Sequence, residues 1–90
     1  MLIGSKKIDA VVLAKATSTS GKYEIFFAEH YIASGPCYDV GSYNLATAEV
    51  VRRHYLAKEE ALRFWERFKE DMLSKVEGEE KDEVEKLIIN

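Results

Sequence analysis

IASGPCYDVGSYN, residues 32–44, contains the chain's one proline, its one cysteine and two of its five glycines. How it is read decides the fold. A thiol in an exposed loop would point to catalysis, whereas turn residues between two strands would point only to a change of direction. Pro36 fixes φ at about −65° and lacks an amide donor, and the Gly35-Pro36 and Val40-Gly41-Ser42 steps are turn chemistry. The expectation is therefore a long hairpin loop.

On its N-terminal side, YEIFFAEHYI (23–32) is strongly β-prone and apolar on both parities. Tyr23, Ile25, Phe27 and Tyr31 share one face, and Phe26, Ala28 and Ile32 the other. On its C-terminal side, YNLATAEVVRRHYL (43–56) repeats the pattern, with Tyr43, Leu45, Val51 and Tyr55 against Ala46, Ala48, Val50 and Leu56. Further upstream, KIDAVVLAKAT, beginning at Lys7, reads as a first strand. It is followed by the turn STSGK, where Gly21 can take positive φ.

From Lys58 the period changes. Ala61, Leu62, Trp65, Phe68, Met72 and Val76 recur at three- and four-residue spacings, predicting an amphipathic helix from Lys58 to about Glu77. Glu59 and Glu60 suit the positive end of its dipole, and Gly78 is a natural stop. After the hydrophilic joint GEEKDE, Val84, Leu87 and Ile88 fall on one side of a short second helix. The predicted class is α+β: a three- or four-stranded antiparallel sheet packed on one long C-terminal helix. Residues 1–78 form the core domain and residues 79–90 an acidic, amphipathic tail.

One helix covers one sheet face. The small residues Ala28, Ala46 and Ala48, beside Phe26, Ile32, Val50 and Leu56, are expected to accept the bulky Trp65 and Phe68. That choice leaves the tyrosine-rich parity uncovered, and an apolar patch of more than a few hundred Å² usually marks a binding surface.

Composition limits what this surface can bind. With 90 residues, 47% apolar and 32% charged, the chain is a single soluble domain with a thin stability margin that dimerisation would widen. No apolar run reaches the roughly 18 residues of a membrane span, and MLIGSKKIDA lacks a secretory core. A single cysteine cannot form an internal disulfide, so a reducing cytoplasm is expected. Glutamine is absent and Glu and Lys crowd the last third, the direction taken by thermophile proteins. The net charge of −3 divides unevenly: residues 1–58 carry seven Lys or Arg against five acids, and residues 59–90 carry six against eleven.

Three functional readings follow. In the first, a homodimer binds single-stranded DNA or RNA, with Tyr23, Phe27, Tyr31, Tyr43 and Tyr55 stacking on bases and Lys15, Lys22 and Arg53 meeting phosphates. The order of strands followed by a helix is similar in outline, and in no motif, to the Whirly and Pur-repeat single-strand binders. In the second, the same face is a protein-protein or assembly interface, to which Val84, Leu87 and Ile88 could contribute. The third is an enzyme built on His30, Cys37, Asp39 and His54, the one set with catalytic or metal-ligand chemistry. No HxxxH, CxxC, GxSxG or phosphate-cradling glycine run accompanies them. The expectation is a non-enzymatic binding protein with no cofactor and no metal, the nucleic-acid reading first and the assembly reading second.

Overall fold

The computed structural model describes residues 11–89. The expected first strand's opening residues, Lys7 to Ala10, lie outside the described residues, as does the side chain of Ile88. Four antiparallel strands run β1 (Val11–Thr17), β2 (Tyr23–Ile32), β3 (Gly35–Asn44) and β4 (Val50–Tyr55), each hydrogen-bonded to the next in chain order. Two helices follow, α1 (Lys58–Ser74) and α2 (Glu79–Ile89).

The stretch 32–44 is therefore a strand, not a loop. The chain reverses within Ala33 and Ser34, since Ile32 already pairs with Gly35, whose φ of 124° suits glycine. Pro36 is tolerated because β3 has only β2 beside it at that point; pairing with β4 begins at Tyr38. Gly41 lies on β3 under the Phe26 ring, and a Cβ there would come within 2.5 Å of that ring and 2.6 Å of the Val51 carbonyl. This glycine makes room for a neighbour rather than a turn.

The third hairpin, between β3 and β4, lies where continuous strand was expected. Residues 45–49 turn without glycine or proline because Asn44 organises them: its Oδ1 accepts from the amides of Ala46 (2.9 Å) and Thr47 (3.1 Å). Ala48 then adopts φ of 65°. Ala46 and Ala48 are thus turn residues and belong to neither sheet face.

That shift reverses the expected faces. The helices cover Ile25 and Phe27 of β2 with Tyr38 and Val40 of β3, and these four join Ala61, Trp65, Phe68 and Met72 of α1 in one core. Phe27 stacks between Tyr38 and Trp65, with ring centroids 6.3 and 6.2 Å away. Burial of each such side chain contributes about 1.5 to 3 kcal/mol. Leu62 and Val76, expected on the buried stripe, are exposed, and α1 ends at Ser74 rather than Glu77.

The segment from Glu79 forms α2, which adds Val84 and Leu87 to the same core. Two acids of the hydrophilic joint are buried with it. Glu80 accepts from the Ser20 amide at 2.8 Å and from the Ser20 hydroxyl, fastening α2 to the β1–β2 turn. Glu83 is held by Lys75 at 3.4 Å and Lys86 at 3.1 Å. Burial pushes the Glu83 carboxyl up, but the two ammonium groups outweigh it and leave the pKa below its ordinary value of 4.5. A lowered folded pKa contributes stability above the unfolded value that is lost as pH falls through the folded one. Denaturant titrations should therefore show stability falling below about pH 4.5, with a smaller fall in Glu83→Gln.

Candidate functional site

With both helices on one side, the other side of the sheet has no covering element among the described residues. Its side chains alternate with the core set: Phe26, Ala28, His30 and Ile32 from β2, and Cys37, Asp39, Gly41 and Tyr43 from β3. Val12 and Lys15 flank these from β1, and Val50, Arg52 and His54 from β4. Val12, Ile32 and Val50 are about half exposed.

Towards the β2–β3 hairpin end of this face the chain's two histidines and its only cysteine converge. His30 lies two residues before the Ile32–Gly35 closing pair and Cys37 two residues after it, so the register sets them opposite each other; the next register sets Asp39 opposite His54. His30 Nε2 is 3.0 Å from Cys37 Sγ and 3.3 Å from Asp39 Oδ2. His54 Nδ1 is in ion-pair contact with Asp39 Oδ1, and Arg52 Nε approaches Asp39 Oδ2 at 3.6 Å. Cys37 and Asp39 are buried at 3% and 7% exposure, while the His54 side chain is 58% exposed. The set that local spacing failed to connect is joined by cross-strand pairing.

The surroundings of Cys37 work against a free thiolate. Burial, and then the charge of Asp39, push the Cys37 thiol above its ordinary value, which disfavours the reactive thiolate. One nitrogen of His30 faces both thiol and carboxylate, whereas a catalytic relay uses one ring nitrogen for each.

The eight residues expected to bind nucleic acid do not share a face. Phe27 is in the core, and Tyr23 and Tyr55 pack against it, Tyr55 also tilting on Phe64 at 5.7 Å. Arg53 lies over the Tyr55 and Phe64 rings, 5.5 and 5.2 Å from their centroids. Tyr31, 58% exposed, shares the helix-side parity, whereas Tyr43 and Lys15 are on the opposite side. Lys15 pairs with Glu24 at 3.7 Å, and Lys22, in the β1–β2 turn, pairs with Glu77. Arg52, the neighbour of Arg53 on β4, reaches the His-Cys-Asp cluster through Asp39. Its signal was parity: as the neighbour of Arg53 on a strand, it had to point the other way. Among the described residues no helix is long and apolar enough to cross a membrane. Compared with models of known protein families, with curated proteins and with solved structures, the chain gives no significant match.

Proposed function

We propose that this chain acts by association rather than catalysis, as a small assembly domain that pairs with a second copy of itself across the helix-free sheet face. The observation that carries this is a four-stranded sheet with both helices on one side and half-exposed Val12, Ile32 and Val50 on the other. Four strands about 4.8 Å apart and roughly 20 to 33 Å long offer about 400 to 600 Å² in projection. That approaches the roughly 800 Å² each partner contributes to a standard interface.

Charge favours a copy over a polyanion. Lys15 and Arg52 on this face are offset by Glu24 and Asp39, so among the described residues it carries no basic surplus for phosphates. Balanced signs allow a two-fold related copy to pair opposite charges, and isologous dimers are the commonest assemblies.

Sedimentation equilibrium tests this. The expected mass is twice 10.3 kDa at micromolar concentration. Val12→Lys and Val50→Lys, which place like charges across a two-fold seam, should each return the monomer while thermal stability stays within about 0.5 kcal/mol. A wild-type monomer at millimolar concentration would overturn the proposal. So would a monomer that binds an oligonucleotide in a salt-sensitive way, which would reinstate the nucleic-acid reading.

A further inference from the structure

The helix-free face carries, near its β2–β3 hairpin end, a donor set that self-association does not require. We propose that His30, Cys37, His54 and Asp39 hold one divalent transition-metal ion of the zinc class. All four donors come from one chain, so the site stands whether or not the face pairs with a copy.

Geometry is the first support. The ligating atoms of His30, Cys37 and His54 all lie within 4.8 Å of one another. Tetrahedral zinc, with bonds of about 2.0 to 2.3 Å, separates its donors by roughly 3.3 to 3.8 Å. Closing that difference takes about 1 Å, within reach of the exposed His54 ring turning on its own side-chain bonds. The other two donors need little movement, since His30 and Cys37 are already 3.0 Å apart on adjacent strands.

Asp39 is the second and independent support. Its side chain is nine-tenths buried, and Oδ1 is cut off from solvent with no hydrogen-bond partner, although His54 Nδ1 lies in ion-pair contact with it. Arg52 Nε at 3.6 Å and the ring nitrogens of His30 and His54 stand around this carboxylate, but none is in hydrogen-bond geometry with Oδ1. A buried carboxylate oxygen without an aligned donor is costly unless further positive charge compensates it. A cation among the three other donors would do so. Asp39 then serves as the fourth ligand, or accepts from His54 Nδ1 and so leaves His54 Nε2 for the metal, the usual second partner of metal-bound histidine.

Donor chemistry selects the metal. One thiolate, two imidazoles and a carboxylate suit zinc or cobalt(II) and exclude calcium and magnesium, which take oxygen ligands. On binding, the Cys37 thiol gives its proton to solvent and the sulfur's lone pair to the metal; no oxidation state changes. A plain hydrogen-bond network accounts for less, because a thiol is a weak donor and gains little from two imidazoles around it.

The test is titration of the full chain, first stripped with chelator, by cobalt(II) and then zinc. Cobalt should give a thiolate-to-metal charge-transfer band together with intense tetrahedral visible bands, saturating at one ion per chain and abolished by zinc. Cys37→Ser should remove the charge-transfer band. His54→Ala, at an exposed position that leaves folding intact by circular dichroism, should weaken binding at least tenfold, and Asp39→Asn about 10 to 100-fold. Zinc should raise the melting temperature of the wild type and not of His54→Ala. Absence of the charge-transfer band, or a band that persists in Cys37→Ser, overturns the assignment. So does affinity unchanged in His54→Ala, which decides the matter even if the cysteine variant fails to fold.

Discussion

Replacing Phe27 by alanine is expected to cost about 3 to 5 kcal/mol of folding stability, the range for deleting a buried aromatic ring. Phe27 is 4% exposed and stacked between Tyr38 and Trp65, so the void would open at the meeting of sheet and helix. Few side chains could collapse into it, because Ile25, Val40 and Met72 are already fully enclosed. Small domains have only about 5 to 15 kcal/mol in total, so the variant should lie close to unfolding. Phe26→Ala is the matched control. Its ring lies on the helix-free face over Gly41 and is only half-buried, so the loss should be smaller. Urea denaturation of the pair checks the face assignment; a larger loss for Phe26 than for Phe27 would mean the helices cover the other side.

The second large effect is expected at Glu80. Its side chain is 1% exposed and receives both the amide and the hydroxyl of Ser20, sixty residues away in sequence. Hydrogen bonds to charged groups contribute about 1.5 to 3 kcal/mol, and removing the acceptor also strands the Ser20 donors. Glu80→Ala should therefore cost about 3 kcal/mol and loosen α2 from the β1–β2 turn. Amide exchange would show this as faster exchange in residues 79–89 and at Ser20. Thr19, whose amide and hydroxyl bond the Met72 carbonyl at 3.2 Å, ties the same turn to α1 and should keep its protection. Uniform acceleration across all strands would contradict a local fastening role.

These two residues also mark what the sequence made legible. The α1 stripe was readable because Ala61, Trp65, Phe68 and Met72 follow helical spacing, and the STSGK turn because Gly21 does adopt positive φ, at 80°. The β2–β3 hairpin misled because glycine and proline are strong turn signals, yet Gly35 alone does turn work, Pro36 is accommodated beside one neighbour, and Gly41 makes room for Phe26. The β3–β4 turn misled in the opposite way: LATAE carries no breaker, and Asn44 does the capping through its side chain. Misplacing those two turns put Ala46 and Ala48 on a strand, and their small size then drew the helix to the wrong face. Glu80 and Glu83 read as solvated because acidic runs usually are; their partners, Ser20, Lys75 and Lys86, are fixed only by tertiary packing. The His30, Cys37, Asp39 and His54 cluster was visible as residue types but not as a site, because metal-ligand spacing on a sheet is written in strand register rather than in local intervals.

Everything functional here rests on which side of the sheet the helices occupy. The most direct measurement is the set of nuclear Overhauser contacts from the Trp65 indole ring in the labelled full chain. Contacts to Phe27, with none to Phe26 or Ala28, are the predicted result and leave His30, Cys37, Asp39 and His54 together on the helix-free face. Contacts to Phe26 and Ala28 instead would put that cluster beneath α1 and contradict both the pairing surface and the metal site.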